Sequence, residues 1–358
     1  MRGLQAVRAA LPTQGVVPRY SGQTASAMMG PLPVSFAHAL DRLNAWQQRS
    51  AAVAVPVAAF KKFVDDRADA LGAQVAYWGF FSVFSLLLVF VSILGFVFES
   101  DPAVQKQVLD STLERMPVIG PQISGEVGSL TGSGVALAVG VAGALWTGLG
   151  VTLALGRAFD RMWAVPRFAR SGFARSRLRG LLVLLVAGGI NVVVTVAVGL
   201  AEAGEVRPAV ASVLSLAASA AIDLALFLAC FRLLTAARVT TRQVLPGAVL
   251  AAGCLLALQV LGGAFITGVL RGSSQTYGGF AAVVGLLTWL LIAAELTLIA
   301  AELNVVLDRR LWPRSLTGQL RSADRRALRD SAHAAQLDPR EHIAVNFPHR
   351  DEDPPSSP

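Results

Sequence analysis

The sequence is short of charged residues, and this shortage is its most informative property. Charged side chains make up 15% of the 358 residues, against about 25% in an ordinary soluble protein. Hydrophobic residues reach 54% and are concentrated in long uncharged runs. A chain of this composition is expected to bury its apolar runs in a lipid bilayer rather than in a soluble core.

Cysteine and histidine, which build disulfide frameworks and many metal sites, are also scarce. The two cysteines, Cys230 and Cys254, lie inside apolar runs, which excludes a disulfide framework and a CxxC metal site. The four histidines lie outside these runs and lack HExxH spacing. The sequence also has no Walker A loop and no GxSxG nucleophile elbow. These absences predict a protein that is not an enzyme and that binds no metal or cofactor.

Six apolar runs are each long enough for a helix to cross about 30 Å of hydrocarbon, which takes about 20 residues. The runs are rich in Leu, Val and Ala without the two-residue alternation of a transmembrane barrel, so they predict helices. We therefore predict an all-α integral membrane protein, a bundle of six transmembrane helices. The predicted spans are approximately Val75–Phe98, Val135–Leu155, Gly180–Leu200, Val210–Leu234, Val244–Leu270 and Phe280–Leu303.

Basic residues are distributed unevenly between the segments that connect these runs. Of the 31 Lys and Arg residues, 27 fall in the N-terminal segment, the second and fourth connections and the C-terminal segment. Because cytoplasmic loops carry the positive excess, both termini are predicted to lie in the cytoplasm, which requires an even number of spans. The same distribution assigns the net charge of +8 to contact with anionic lipid headgroups rather than with nucleic acid.

Composition divides the chain into three parts. Residues 1–70 form a cytoplasmic N-terminal segment, residues 71–316 the transmembrane domain, and residues 317–358 a partly disordered cytoplasmic tail. The N-terminal segment is predicted to contain an amphipathic helix before the first span. Two arrangements are open for this helix, which either lies in the membrane interface or packs on the bundle.

Four polar residues lie within the predicted spans. Asp223 and Glu295 stand near the middle of the fourth and sixth spans, where an ionised carboxylate is expensive. Asn191 and Gln259 add polarity to the third and fifth spans. One interpretation is a polar pathway through the bundle. The other is a set of neutral carboxyl and amide groups that form hydrogen bonds between helices.

The second connection carries seven arginines between residues 156 and 179, and four of them are candidates for binding lipid phosphate. The guanidinium fork suits phosphate geometry. A lipid-phosphate contact at the cytoplasmic face is therefore predicted for Arg157, Arg161, Arg167 and Arg170. The alternative is that these arginines only set the topology through the positive-inside rule.

Four stretches of the sequence are similar to a known family. They are AQVAYWGFFSVFSLLL from Ala73, WTGLGVTLALGRAFDRMWAVP from Trp146, YGGFAAVVGLLTW from Tyr277 and AELNVVLDRRLWPRSL from Ala301. Through them the chain resembles the YihY/BrkB family of six-span bacterial inner-membrane proteins, and more closely its YhjD-like branch. The resemblance covers about residues 60–316, and Trp-Ala-Val-Pro and Pro-Arg-Ser-Leu are its more specific pieces. Ser85 departs from it, because the family usually has a proline there.

The resemblance implies a place in the bacterial inner membrane and a role in the cell envelope, with lipids among the candidate substrates. It supplies no catalytic residues. Family members were formerly assigned as ribonuclease BN, and this sequence lacks the ligands that metal-dependent cleavage needs. Two functions stay open, a transporter or flippase-like protein and a non-transporting membrane scaffold or envelope assembly factor. The expected partners are the bilayer and anionic phospholipid headgroups.

Overall fold

The computed structural model describes residues 42, 44–97, 134–203, 208–316 and 320–347, without side chains at 94–95, 97, 190–216, 260–279 and 281–282. Within this part of the chain the regular elements are helices and no strand occurs, so the all-α prediction is confirmed there. The elements are α1 (Ala51–Asp65), α2 (Ala68–Val97), α3 (Gly134–Met162), a 3-10 turn (Arg167–Ala169), α4 (Phe173–Ala203), α5 (Pro208–Leu233), α6 (Thr241–Arg309) and α7 (Ser322–Ala334).

Among the residues with described side chains, four helical segments are long and apolar enough to cross a membrane. They correspond to the first, second, fifth and sixth predicted spans. The predicted third and fourth spans fall in α4 and α5, helices of 31 and 26 residues. Many side chains of these two helices are not among those that the structure describes. The count of six spans therefore stays a prediction. The four segments are Ala68–Ile93, Gly134–Met162, Thr241–Gln259 and Val283–Arg309.

Helix α6 is one element of 69 residues, yet its two arms lie side by side. The Gln243 side chain donates to the Asp308 carboxylate at 2.9 Å, and the Gly247 amide donates to the Asn304 side chain at 2.6 Å. A straight helix would hold the members of each pair more than about 80 Å apart. Both pairs are centred between residues 275 and 276, so the chain reverses direction between the arms, where the sequence predicts the last connection.

Helix α3 pairs with α2 and with α4 as an antiparallel neighbour. A methyl group on Gly150 of α3 would overlap the Trp78 ring of α2, and one on Gly180 of α4 would overlap the Thr152 side chain of α3. These close approaches place the starts of α2 and α4 beside the end of α3.

The ends of α5 and α6 join the same end of the bundle. Ala236, just after α5, donates its amide to the Asp160 carboxylate of α3 at 2.6 Å. Because alternate helix ends meet there, the second and fourth connections lie together with the described residues before α2 and after α6. These are the segments in which the Lys and Arg residues are concentrated, and this end of the bundle is termed the basic end below.

Helix α1 packs on the basic end of the bundle. Its Ala58 and Phe63 belong to the same buried cluster as Phe159 of α3 and Val305 of α6. The structure shows α1 packed on the bundle, and its position relative to the membrane interface stays a prediction. Pro56 lies inside the helix, in its second turn, where a missing backbone donor removes only one hydrogen bond.

Candidate functional site

A pocket of about 370 Å³ opens at the basic end, between the end of α3 and the start of α4. It is termed the arginine pocket. Three guanidinium groups and one carboxylate leave it with an excess of two positive charges. Its polar lining consists of Thr152, Arg157, Asp160, Arg170, Ser171, Ser176 and Arg177.

Hydrogen bonds hold the walls of the arginine pocket in place. Asp160 accepts the Ala236 amide at 2.6 Å, which ties α3 to the segment after α5. Arg179 donates to the Ser171 hydroxyl at 2.8 Å and to the Thr235 carbonyl at 3.3 Å. The pocket is therefore shaped by three chain segments before any ligand enters.

Arg170 and Arg177 meet different surroundings in this pocket. Burial lowers the pKa of Arg170, the charge of Asp160 opposes this effect, and the charges of neighbouring arginines add to it. A guanidinium stays protonated at neutral pH all the same. Arg177 places its guanidinium carbon 4.1 Å from the centre of the Phe173 ring, and its buried Nε has no hydrogen-bond partner. A buried donor of this kind is stabilised by an incoming acceptor.

The structure divides the four arginines that were predicted to contact lipid phosphate. Arg157 and Arg170 line the arginine pocket together. Arg161 lines a second pocket of about 240 Å³ between α1, α3 and α7, and Arg167 is exposed in the 3-10 turn. Arg177 was not among the sequence candidates, because seven arginines in one connection give no sign of which ones face each other.

A buried ionic group lies at the second pocket, where α1 meets the second arm of α6. The Lys62 ammonium is 3.0 Å from the Glu302 carboxylate, and it donates to the Asp66 carboxylate and to the Met162 carbonyl. Glu302 is fully buried and Lys62 is 7% exposed. Burial alone lowers the pKa of Lys62, but the charges of Glu302 and Asp66 outweigh it and raise the pKa. Lys62 is therefore held in its charged form. Lys62, Asp66 and Glu302 are termed the Lys62 cluster.

A second ionic group fastens α7 to the same region. Asp324 accepts hydrogen bonds from Arg314 at 2.8 Å, from Lys61 at 3.0 Å and from the Ser315 amide at 3.0 Å. Arg314 also pairs with Asp65 of α1 at 2.7 Å. These five residues, termed the Asp324 clamp, join α1, the segment after α6 and α7.

Of the residues of the predicted polar pathway, Asp223, Glu295 and Gln259 line neither of these two pockets. Asp223 and Glu295 are half-buried within the bundle. A methyl group on Gly72 would lie 3.3 Å from Glu295 Cγ, so Glu295 packs against the start of α2. Gln259 is exposed, and the Asn191 side chain lies outside the described residues. The pathway stays a prediction.

Both cysteines are free, Cys230 buried and Cys254 half-buried. Over the ranges that the structure describes, no group of three or more His, Cys, Asp or Glu side chains is placed to hold a metal ion. The charged groups of the basic end described above form ion pairs and line the arginine pocket.

Comparison with known proteins decides the family. The sequence model described as virulence factor BrkB matches residues 59–324, about three quarters of the chain. The chain belongs to the BrkB family. The resemblance found in the sequence is confirmed, and together with the apolar helices it identifies a multi-pass membrane protein. No curated protein and no solved structure shows significant similarity to this BrkB-family chain.

The more specific pieces of the BrkB resemblance build the basic end. In Trp-Ala-Val-Pro, the Trp163 carbonyl accepts a hydrogen bond from Arg309 at 2.6 Å. Pro-Arg-Ser-Leu contains Arg314 and Ser315 of the Asp324 clamp, and Ala-Glu-Leu-Asn contains Glu302. The charged residues inside these stretches are the feature of the sequence that could have indicated the Lys62 cluster and the Asp324 clamp. The matched range ends at Asp324 and takes in the arginine pocket as well.

Proposed function

We propose that this BrkB-family protein is a transporter or flippase-like protein for envelope lipids in the bacterial cell membrane. In this role it has six spans with both termini in the cytoplasm, so the basic end faces the cytoplasm. It carries out no catalysis and needs no metal or cofactor. Its partners are the bilayer and anionic phospholipid headgroups rather than nucleic acid.

The observation that supports this role is the position of the arginine pocket beside apolar helix surfaces. The pocket lies between α3 and α4. Next to the pocket, towards the middle of the bundle, both helices carry large exposed apolar side chains. Because exposed apolar surface of this kind faces acyl chains in a bilayer, a lipid can place its headgroup in the pocket and its tails along the helices. The exposed side chains are Leu145 and Trp146 of α3 and Leu178, Leu182 and Leu185 of α4.

The half-buried carboxyl groups supply the second part of the proposal. Ionisable residues inside a bilayer are expensive, and they commonly mark the route of a polar group. Asp223 and Glu295 take this part in α5 and α6, with Asn191 and Gln259 as further polar positions in α4 and α6. A headgroup that leaves the arginine pocket then crosses the bundle along this route.

Flipping of an anionic phospholipid that is labelled on a short acyl chain, with its headgroup unaltered, tests the transporter role in proteoliposomes. We expect the purified chain to expose inner-leaflet label to an external quencher faster than protein-free liposomes do. Glu295→Gln is expected to slow this exposure several-fold. Thr288→Val in the same arm is the matched control, because the Thr288 hydroxyl already bonds to its own helix at Val284. A rate equal to that of protein-free liposomes would show that the transporter role is wrong.

A second function, a membrane scaffold or envelope assembly factor, is favoured by the Asp324 clamp. The clamp holds α7 in a set position through a carboxylate that is nearly fully buried, with 2% of its side chain exposed. A helix held in this way presents a constant surface to a partner protein. The exposed side chains of α7 include Arg325 and Arg329.

Substitutions on the outer surface of α7 separate the two functions better than deletion of the whole tail. Deleting residues 320–358 removes Asp324, which takes the buried carboxylate away from Arg314 and Lys61 and harms either function. Arg325→Gln with Arg329→Gln leaves the clamp intact. A transporter is expected to keep its flipping rate in this variant, whereas a scaffold is expected to lose complementation of a deletion strain.

A further inference from the structure

The charge of the arginine pocket exceeds what a phosphodiester headgroup neutralises. Arg157, Arg170 and Arg177 share the pocket with one carboxylate, Asp160, so two positive charges are left over. A phosphodiester carries a single negative charge, while a phosphomonoester carries about 1.5 to 2 negative charges at neutral pH. The pocket therefore matches a terminal phosphomonoester in charge.

The hydrogen-bond donors of the pocket match the same group. A phosphomonoester has three outer oxygens that accept strong hydrogen bonds, and guanidinium groups pair with such oxygens in a bidentate way. The buried Nε of Arg177 has no partner within the protein, and its guanidinium is steadied by the Phe173 ring. The Ser171 hydroxyl, held by Arg179, lies in the same lining. An oxygen that enters here satisfies a donor that is otherwise unpaired.

The apolar part of the pocket favours a lipid over a free phosphate ion. Leu153, Phe173 and Leu234 line the pocket, and Phe173 is 75% exposed beside Arg177. A phosphate ion gains nothing from such neighbours, whereas the first carbons of a lipid gain free energy by covering them. The volume of about 370 Å³ is near the lower end of small-molecule pockets, about 300–1,000 Å³, which is room for a headgroup without its tails.

We propose that the arginine pocket binds the terminal phosphomonoester of an anionic lipid. This assignment rests on the proposed function, since it names the class of lipid that the protein receives at the basic end. Phosphatidic acid, the simplest lipid with such a group, is the probe. Phosphatidylglycerol, a phosphodiester lipid with the same tails, is the comparison, and inorganic phosphate represents the group without a lipid.

Lipid binding to the full-length chain in detergent, followed by native mass spectrometry, tests the assignment. We expect phosphatidic acid to bind about ten-fold more tightly than phosphatidylglycerol, and inorganic phosphate at the same concentration not to displace it. Arg177→Gln is expected to lower the affinity for phosphatidic acid about ten-fold, which corresponds to about 1.4 kcal/mol. Arg170→Gln is the second variant, with the same expected loss, and the melting temperature of each variant verifies its folding.

Arg175→Gln is the matched control for these variants. Arg175 lies in the first turn of α4 and is exposed, but it does not line the pocket. The control removes the same charge from the same helix end and is expected to retain the affinity and the preference. An equal loss in Arg175→Gln and Arg177→Gln, or equal affinity for the two lipids, overturns the assignment. Displacement by inorganic phosphate at the same concentration overturns the lipid part of it.

The flipping assay distinguishes a failure of the pocket assignment from a failure of the proposed transporter function. Preference for phosphatidic acid without flipping activity leaves the pocket assigned and removes the transporter role. Flipping activity without the preference leaves the transporter role and removes the assignment of the pocket.

Discussion

Lys62 is the cation that two buried carboxylates share at the basic end. The fully buried Glu302 and the buried Asp66 both face its ammonium group. Lys62→Met leaves two carboxylates in one buried site without a cation, and such a loss costs about 3–5 kcal/mol. We expect a large fall in the melting temperature of the detergent-solubilised protein, measured by intrinsic fluorescence.

Two further variants serve as controls for Lys62→Met. In the double variant with Glu302→Gln, one of the stranded charges is gone, so part of the stability is expected to return. Lys61→Met is expected to cost less, because its partner Asp324 keeps the hydrogen bond from Arg314. Equal melting temperatures for Lys62→Met and the unaltered protein would contradict the importance of the Lys62 cluster.

Asp324 gives the attachment of α7 a dependence on pH. Burial alone raises the pKa of Asp324, but hydrogen bonds from Arg314, Ser315 and Lys61 outweigh it and lower the pKa below its usual value. A group with a lowered native pKa contributes its full stabilisation above the unfolded pKa, about 3.9 for Asp. The contribution is lost as the pH falls through the native value.

Hydrogen exchange of α7 measures this effect. We expect protection of the α7 amides to decline below about pH 4 and to be low at every pH in Asp324→Asn. Asp338→Asn, an exposed acidic position after α7, is expected to leave the acid transition unchanged. A transition that persists in Asp324→Asn would assign it to a different carboxyl group.

At the scale of residues, the sequence reached part of the candidate site. Arg157 and Arg170 were predicted as phosphate contacts and share a pocket. Arg177 was missed, because it reaches them only after the chain has passed through the 3-10 turn and into α4. Glu302 was not singled out as an intramembrane carboxyl, because it lies at the edge of an apolar run. Its partner Lys62 comes from α1, 240 residues earlier.

At the scale of helices, the two arms of α6 depend on one close contact. A methyl group on Gly247 would overlap the Ala300 carbonyl oxygen, which belongs to the backbone of the second arm. Gly247→Ala therefore forces the arms apart, and overpacking of this kind costs about 1–3 kcal/mol. We expect a lower melting temperature in detergent.

Gly253 offers a matched control on the same arm. No atom lies within 4 Å of the place a methyl group would take there. Because alanine favours a helix over glycine by about 1 kcal/mol, Gly253→Ala is expected to leave the melting temperature unchanged or raise it. If both alanine variants behave alike, the contact between the arms does not hold α6 together.

Helix boundaries show where hydropathy stops being informative. The second span was predicted to end near Leu155, but α3 continues to Met162. The last two turns of α3 carry Arg157, Asp160 and Arg161. These residues end the apolar run of the sequence, but the helical backbone hydrogen bonds continue through them. The arginine pocket is built on this polar extension. Sequence patterns located the apolar parts of four helices. They placed the charged turns at the end of α3 in a connection, because hydropathy detects the part of a helix that suits a membrane and not the full length of the helix.

At the scale of the whole molecule, alternate helix ends are grouped at the basic end. Cysteine labelling can test on which side of the membrane this end lies. Single cysteines are placed in a background with Cys230→Ala and Cys254→Ala. One cysteine replaces Arg238 at the basic end and the other replaces Gly134 at the opposite end. Both positions are exposed. In intact spheroplasts an impermeant maleimide is expected to label Gly134→Cys only, with Arg238→Cys labelled after lysis. The reverse pattern would place the basic end outside the cell.

The Lys62 cluster and the Asp324 clamp also set the order in which the protein can be completed during synthesis. Arg314 bonds to Asp65 across 249 residues and Lys61 bonds to Asp324 across 263 residues. Lys62 and Asp66 therefore leave the ribosome long before Glu302 is made, and the Lys62 cluster can close only after the second arm of α6 has been synthesised. The basic end therefore cannot be completed before residue 324 has been synthesised.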